Sequence, residues 1–259
     1  MDADSTKSDR RVVVLGGTAG VGWETARHFA RSGAHVILLG RDSERGDAAV
    51  RRLTDDLPGA DVSYVRVDAA DPDQAVACEA DCRARLGAID VLVTTTGPSQ
   101  PPRLLHDITI HQVAPRIEEI ILPPLHLIHA VLADMRARND GCIVVVASDA
   151  AKVPTPGETL IGAAMAALVL FCKATALEVK RERIRINVLT PSLIANTPGS
   201  ALIDGDPFSA KMFVKAASLA HLGVVEAEDL ATMAVFLASP AARRMTGQAI
   251  SINGGISVA

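Results

Sequence analysis

The chain has 259 residues, 49% of them hydrophobic, and a formal net charge of −4. This length is enough for one large α/β domain with a substantial core, and the slightly acidic balance gives no electrostatic basis for binding nucleic acid or an anionic membrane. The polar segment 1–10 lacks the apolar stretch of a signal peptide and is predicted to be a disordered tail. The longest apolar run, Leu160–Cys172, is too short to span a bilayer. Four cysteines without paired metal spacing indicate a reducing, cytoplasmic location and no metal site.

Short apolar strands alternate with helical segments along residues 11–259, which we expect to form a single domain. The predicted strands are Val12–Leu15, Ala34–Leu39, Val62–Val67, Ile89–Val93, Ile143–Ala147, Ile184–Leu189 and Ala249–Ile252. The predicted helices are Trp23–Arg31, Ser43–Thr54, Pro72–Arg85, Leu160–Val179 and Ala227–Ala238. This alternation predicts an α/β protein of the Rossmann type, with a doubly wound parallel sheet and helices on both faces.

A glycine-rich segment, Gly16–Gly22, follows the first predicted strand and leads into the first predicted helix. Gly16 allows a tight turn, Gly20 lets the backbone approach a phosphate, and Gly22 lets the helix pack close to the strand. The free N–H groups and the positive dipole end of that helix would face a pyrophosphate. Strand, glycine turn and helix in this order predict a dinucleotide-binding site.

The end of the second predicted strand indicates which dinucleotide is preferred. An NAD-dependent dehydrogenase normally has an acidic residue there for the ribose 2′-hydroxyl, whereas this chain has Gly40 followed by Arg41. An arginine can bind a 2′-phosphate through bidentate, charge-assisted hydrogen bonds. The sequence therefore favours NADP(H) over NAD(H), although a solvated surface arginine would look the same.

Several motifs in order resemble those of the short-chain dehydrogenase/reductase family, especially its carrier-protein ketoreductase-like members. The similarity extends from Arg11 to Ser257 and rests on the glycine turn, Asp68-Ala69, Arg185–Val188, Pro191–Ile194, Thr246–Gln248 and Asn253–Gly255. The resemblance implies a seven-stranded parallel sheet and a homodimer or homotetramer formed partly through the Leu160–Val179 helix. It also implies that the cofactor contacts Gly16, Thr18, Gly20, Val21, Gly22, Arg41, Asp68, Ala69, Thr95, Gly97, Pro191 and Ile194.

The family's catalytic residues are only partly matched. By resemblance, a tyrosine exchanges the substrate proton, a lysine four residues later lowers the tyrosine pKa, a serine binds the substrate oxygen and an asparagine anchors water. Ser148 occupies the serine position, but Ile161 and Met165 stand at the tyrosine and lysine positions and Ile120 at the asparagine position. Neither isoleucine nor methionine can exchange a proton, so the standard general acid–base step is not expected.

A surrogate proton donor is available nearby in the sequence. Glu158 lies between Ser148 and Ile161, in a loop that lines the substrate pocket in the family. A Ser148/Glu158 pair could work if an apolar pocket raises the pKa of the carboxyl group. Glu158 could equally be a solvated residue near a helix N-terminus, where negative charge is favoured.

Two further features predict an apolar pocket. Pro123-Pro124 is expected to interrupt and kink a helix near Ile120, because each proline removes a backbone donor. Segment 196–220 takes the place of the family's substrate lid and is broken by Pro198-Gly199 and by 204–207 into short helical pieces. Its residues 212–214 are apolar and available to face a ligand, so the predicted partner is an apolar small molecule.

Three functions remain open from the sequence. The first is an NADP(H)-binding oxidoreductase with a non-standard proton donor or with none. The second is a non-redox enzyme, such as an isomerase, dehydratase or cyclase, that uses Ser148 or Glu158 and requires no cofactor. The third is a non-catalytic partner of an active relative. Resemblance to a fold family does not decide among them.

Overall fold

A computed structural model describes residues 9–259 and contains one sheet of seven parallel strands. The strands are β1 (Arg11–Leu15), β2 (His35–Gly40), β3 (Val62–Arg66), β4 (Val91–Thr94), β5 (Gly141–Val146), β6 (Ile184–Pro191) and β7 (Ala249–Ile252). Their order in the sheet is β3-β2-β1-β4-β5-β6-β7, so the chain reverses its direction of winding between β1 and β4. The predicted fold class is thereby confirmed.

Eight α-helices lie among the described residues. They are α1 (Gly20–Arg31), α2 (Ser43–Asp56), α3 (Pro72–Leu86), α4 (Ile110–Arg138), α5 (Thr159–Val179), α6 (Pro198–Asp204), α7 (Pro207–Leu219) and α8 (Ala227–Ala238). Buried residues of α1, α2 and α8 form one core cluster with the sheet, and those of α3, α4 and α5 form another. The two clusters show that helices cover both faces of the sheet, which is why the central strands are almost wholly apolar.

The predicted tail falls largely on residues 1–8, which lie outside the described part of the chain. Arg10, predicted to be part of the tail, is held next to the sheet. Its carbonyl oxygen accepts a hydrogen bond of 2.8 Å from the His35 amide, and its guanidinium donates to the Ala238 carbonyl.

Helix α4 corrects one prediction, because it runs continuously through Pro115, Pro123 and Pro124. Each proline lacks an N–H and removes one intrahelical hydrogen bond. The helix nevertheless has a buried face that packs against the sheet and its neighbouring helices, and this face includes Ile120 and Leu127. Tertiary packing of this kind supplies most of a helix's stability and here outweighs the lost bonds.

Helix α5 begins one residue before the predicted start at Leu160 and ends at the predicted Val179. By length and composition alone, segments 110–138 and 159–182 are each long and apolar enough to cross a membrane. In the structure both helices contribute to the core cluster on one face of the sheet, as core helices of a globular fold do.

Candidate active site

A cavity of about 540 Å³ opens at the carboxyl edge of the sheet. Loops that follow β1, β4, β5 and β6 line it, and α6 and α7 border it from the lid segment. Ligands of doubly wound folds bind at this edge, next to the point where the strand order reverses. The volume lies within the range of small-molecule sites.

The glycine turn forms one end of the cavity. Gly16 has a φ of +77°, which favours glycine, and a Cβ there would lie 2.7 Å from Thr95 Oγ1. A Cβ on Gly22 would overlap the Gly16 carbonyl oxygen, so the helix and strand can approach this closely only without side chains. The N-cap of α1, Ala19, provides no side-chain cap, and the first turn of α1 contains no acidic residue. These amide groups therefore suit a phosphate ligand.

Most of the predicted cofactor contacts line this cavity. The lining includes Gly16, Thr18, Gly20, Val21, Gly22, Thr95, Gly97, Pro191 and Ile194. Asp68 and Ala69 do not line it. The Asp68 carboxylate instead accepts a hydrogen bond from the Ala70 amide at 3.2 Å, and the Ala69 carbonyl lies 3.0 Å from His126 Nδ1. Asp68 therefore takes part in a local contact after β3, and Ala69 in a contact with α4.

The two arginines beyond β2 occupy different places. Arg41 is exposed and does not line the cavity, whereas Arg45, in the first turn of α2, does. Two hydrogen bonds fix the loop between the two arginines. Tyr64 Oη donates to the Gly40 carbonyl at 2.7 Å, and the Asp42 carboxylate caps α2 by accepting from the Arg45 amide at 3.1 Å. Sequence reasoning missed Arg45 because it considered only the residues directly at the end of β2, and Arg45 lies five residues beyond that strand.

Ser148 and Glu158 both border the other end of the cavity. Ser148 Oγ accepts a hydrogen bond of 3.2 Å from the Ala150 amide, which leaves its hydroxyl proton free to donate. Glu158 is partly buried, and burial, with a smaller contribution from the negative charge of Asp149, raises its pKa to about 7. A carboxyl group with this pKa can give up or take a proton near neutral pH.

Ile161 and Met165 also line this end and are almost fully buried. They project from successive turns of α5, and no tyrosine, lysine or histidine borders the cavity within residues 9–259. Ile120 is buried on α4 and does not line the main cavity. It borders a small void of about 10 Å³ together with Ile161. The three predicted positions are therefore brought close together as an apolar cluster.

Asp149 anchors the short 3-10 turn, Asp149–Ala151, that follows Ser148. Its buried carboxylate accepts hydrogen bonds from Asn253 Nδ2 at 2.8 Å and from Ser257 Oγ, and lies 3.4 Å from Lys152 Nζ. This network ties the segment after β7 to the serine turn. It also keeps a negative charge close to Glu158, which is the second cause of the raised pKa of that residue.

Glu158 also borders a second, more open cavity of about 490 Å³, together with Lys152, Thr155 and Thr159. The residue therefore lies between the main cavity and an outer groove. The described residues contain no cluster of three or more histidine, cysteine, aspartate or glutamate side chains that could hold a metal ion.

The lid divides as the sequence predicted, with α6 beginning at Pro198 and α7 at Pro207. Proline fits these positions because the first turn of a helix needs no N–H donor. Of the three apolar lid residues singled out from the sequence, only Phe213 lines the cavity, and Val214 is exposed. Leu202 and Ile203 of α6 also line it. The lid segment 196–220 thus contributes apolar surface to the site.

The fold and the glycine turn at the reversal point define a dinucleotide-binding protein of the Rossmann type. Residues 16–257 match the family model described as Enoyl-(Acyl carrier protein) reductase. The 3-oxoacyl-[acyl-carrier-protein] reductase FabG of Chlamydia pneumoniae is 31% identical over 254 residues, covering 98% of this chain and 99% of that protein. The cis-4-hydroxycyclohexanecarboxylate dehydrogenase of Sinomonas cyclohexanicum is 32% identical, covering 96% of each chain.

A solved structure has a similar fold over nearly its whole length. The crystal structure of levodione reductase has a TM-score of 0.89 at 25% identity, covering 96% of this chain and 97% of that one. The chain belongs to the short-chain dehydrogenase/reductase family of oxidoreductases.

Proposed function

We propose that this protein is an NADP(H)-dependent oxidoreductase that acts on an apolar carbonyl compound or alcohol and exchanges the substrate proton through Glu158. The observation that carries the proposal is the position of Glu158, which borders the same cavity as the glycine turn and Ser148. Membership in a family of oxidoreductases favours this function over the non-redox and scaffolding alternatives.

The residues of the cavity fit a nicotinamide dinucleotide. The uncapped N-terminus of α1 would hold its pyrophosphate, and Thr95, Gly97 and Ile194 line the path from there to Ser148. The bound cofactor supplies or takes the hydride. The apolar Met165 side chain offers no hydrogen bond to a ribose, so we expect the nicotinamide half to be held mainly by shape and by backbone groups.

The preference for NADP(H) rests on Arg45 and Arg41. Arg45 lines the same cavity as Thr18 of the glycine turn, and a ribose phosphate beyond that turn would lie within its reach. An arginine pairs with a phosphate through two charge-assisted hydrogen bonds. Arg41, which follows β2 and is exposed, would add a second positive charge from the rim.

Ser148 and Glu158 have different roles at the substrate oxygen. The Ser148 hydroxyl would donate a hydrogen bond to the carbonyl oxygen and hold it next to the carboxyl group. During reduction, the protonated Glu158 carboxyl gives its proton to the oxygen as the alkoxide forms, and during oxidation the Glu158 carboxylate takes it back. The outer groove beside Glu158 offers a route for that proton to exchange with solvent.

The substrate end of the cavity is suited to an apolar molecule. Ile161, Met165 and Phe213 line it, and the lid contributes Leu202 and Ile203. An apolar wall favours a hydrophobic substrate, because the apolar surfaces of both are removed from water when the substrate binds. The names of two similar proteins, a cis-4-hydroxycyclohexanecarboxylate dehydrogenase and levodione reductase, support an alcohol or carbonyl substrate.

We also propose that two copies of the chain associate through α5. This helix exposes an apolar stripe that includes Leu170, 68% exposed, and Leu177, 66% exposed. The alanines at 163, 167 and 174 continue the stripe at helical spacing. An exposed stripe of this kind is typical of a protein–protein contact.

The test of the catalytic proposal compares Glu158→Gln with the wild type in NADPH oxidation across a panel of apolar ketones. We expect kcat to fall by about 10²- to 10⁴-fold, with KM little changed, because general acid catalysis is lost while binding is not. The wild-type profile of kcat against pH should inflect near 7, the pKa of Glu158, and the variant should lose that inflection.

Glu178→Gln is the matched control, because Glu178 is exposed on α5, the helix that follows Glu158, and lies outside the cavity. Glu158→Asp should recover part of the rate. Full activity and an unchanged pH profile in Glu158→Gln would contradict the proposed role, and a wild type that oxidises NADPH with none of the ketones would contradict the proposed reaction.

A further inference from the structure

Helix α7 packs directly on the turn that precedes Glu158. Gly157 has a φ of +91°, and a Cβ at this position would lie 2.7 Å from Phe208 Cε1 and 3.6 Å from Met212 Sδ. The aromatic ring of Phe208 therefore rests on the bare Gly157 backbone, with no room for a side chain between them. Gly157 is required here both by its backbone conformation and by this close approach.

A second set of contacts joins α7 to the same turn through segment 102–103. The Arg103 guanidinium lies 3.1 Å from an Asp206 carboxylate oxygen, and the Arg103 amide donates a hydrogen bond of 2.9 Å to the Gly157 carbonyl. The buried Ser209 hydroxyl donates to the Pro102 carbonyl at 2.9 Å. Arg103 thus links the start of α7 to the turn with its side chain on one side and its main chain on the other.

Glu158 is the next residue along the chain, and its backbone is fixed as well. Its amide donates to the Thr155 carbonyl at 3.0 Å, and its carbonyl accepts from the Gly162 amide at 2.6 Å. The side chain borders a cavity that Phe213, another residue of α7, also lines. The position of Glu158 and the position of α7 therefore depend on shared contacts.

We propose that α7 is a positioning element for Glu158, in which Phe208 and the Arg103–Asp206 pair hold the Gly157 turn so that the carboxyl group is kept in the main cavity. This inference rests on the proposed function for its catalytic consequence. The positioning itself is a matter of contacts within the chain, and it is open to measurement without turnover.

The proposed positioning links the lid to the protonation state of Glu158. With α7 in place, burial of the carboxyl group is the main cause of its raised pKa, and the charge of Asp149 adds to it. If α7 moved away, water would reach the carboxyl group and its pKa would fall towards the ordinary range of glutamate. The acid would then be ionised at neutral pH and could not donate a proton.

The charged groups on the elements around Glu158 act in different directions. Asp149 and Lys152 lie on the turn after Ser148, and Arg103 and Asp206 join at the start of α7. The remaining charged side chains of α7, at 211 and 215, are exposed. If Arg103 acted only as a positive charge, removing it would raise the pKa of Glu158, whereas loosening the turn would lower it.

The experiment is a direct titration of Glu158 by NMR of ¹³C-labelled glutamate carboxyl groups in the whole protein, assigned with Glu158→Gln. We expect Phe208→Ala to lower the measured pKa of Glu158 by about one pH unit or more. Phe236→Ala is the matched control, because Phe236 and Phe208 are both 39% exposed and Phe236 lies on α8. The control should leave the titration unchanged.

Arg103→Gln is a second variant in case Phe208→Ala does not fold, and it should lower the pKa of Glu158 as well. A pKa that stays constant in a folded Phe208→Ala protein, or that rises in Arg103→Gln, would overturn the inference. The proposed function is separable from it. Loss of turnover in Glu158→Gln with no titration shift in Phe208→Ala would refute the positioning role alone. A titration shift with normal turnover in Glu158→Gln would refute the proton transfer alone.

Discussion

Replacing Glu158 by glutamine should change the pH dependence of stability in a direction that the structure specifies. In the folded protein, burial and the charge of Asp149 raise the pKa of Glu158 from 4.5 to about 7, and unfolding returns it to the ordinary value. Between these two pH values the folded state binds more protons than the unfolded state. The free energy of unfolding therefore decreases as the pH rises through this window.

Glutamine has nearly the same shape and stays neutral, so it removes this dependence. With each pKa unit equivalent to about 1.4 kcal/mol, the difference in unfolding free energy between Glu158→Gln and wild type should grow by up to about 3 kcal/mol between about pH 4 and about pH 8.5. At the higher pH, the free energy of unfolding of the variant should have increased relative to that of the wild type. Below the unfolded-state pKa, the ionisation of Glu158 contributes nothing to the difference.

The assay is urea unfolding at both pH values and one protein concentration, followed by the fluorescence of the single tryptophan, Trp23. Glu178→Gln, an exposed change on α5, should show no such growth in the difference from wild type. A Glu158→Gln difference that is the same at both pH values would refute the reasoning, since it would mean that the carboxyl group is as well solvated in the folded protein as in the unfolded one.

Arg45→Ala should weaken NADPH binding in calorimetry by about 10- to 100-fold and leave NADH binding unchanged, because a charge-assisted pair with the 2′-phosphate is lost. Arg51→Ala, an exposed change on the same helix, serves as the control, and an equal loss for both cofactors would contradict this role. Leu170→Glu should reduce the molar mass measured by light scattering to that of the monomer, because it places a charge in the proposed α5 contact. Val76→Glu is the control on α3, where Val76 is 61% exposed, and an unchanged mass in Leu170→Glu would exclude the contact.

The elements that depend on local pattern were predicted closely. Helix α8 and strand β7 begin and end at the predicted residues, and the glycine turn lies where β1 enters α1. Hydrophobic periodicity and the φ freedom of glycine act within a few residues, which is why these elements can be predicted from the sequence alone. The prediction that the proline pair Pro123-Pro124 interrupts α4 was wrong for a related reason. A local rule predicted a break, and packing on the sheet kept the helix continuous.

The contacts within the site were harder to predict, because they join distant parts of the chain. Arg45 and the glycine turn line the same cavity, although they lie on different elements of the fold. Phe208 touches Gly157 across about fifty residues of sequence, and neither residue forms part of a motif. Such pairs become visible only when the sheet and the lid are assembled.

The sequence alone determined the family and the parallel sheet. It also predicted the dinucleotide turn and the apolar residues Ile161 and Met165 at two positions of the expected proton relay. It also marked Glu158 as a candidate without indicating whether that residue was solvated. The tertiary structure decided this, because the pKa of a carboxyl group depends on burial and on nearby charge. Here the nearby charge comes from a separate segment, Asp149, which lies beyond β5.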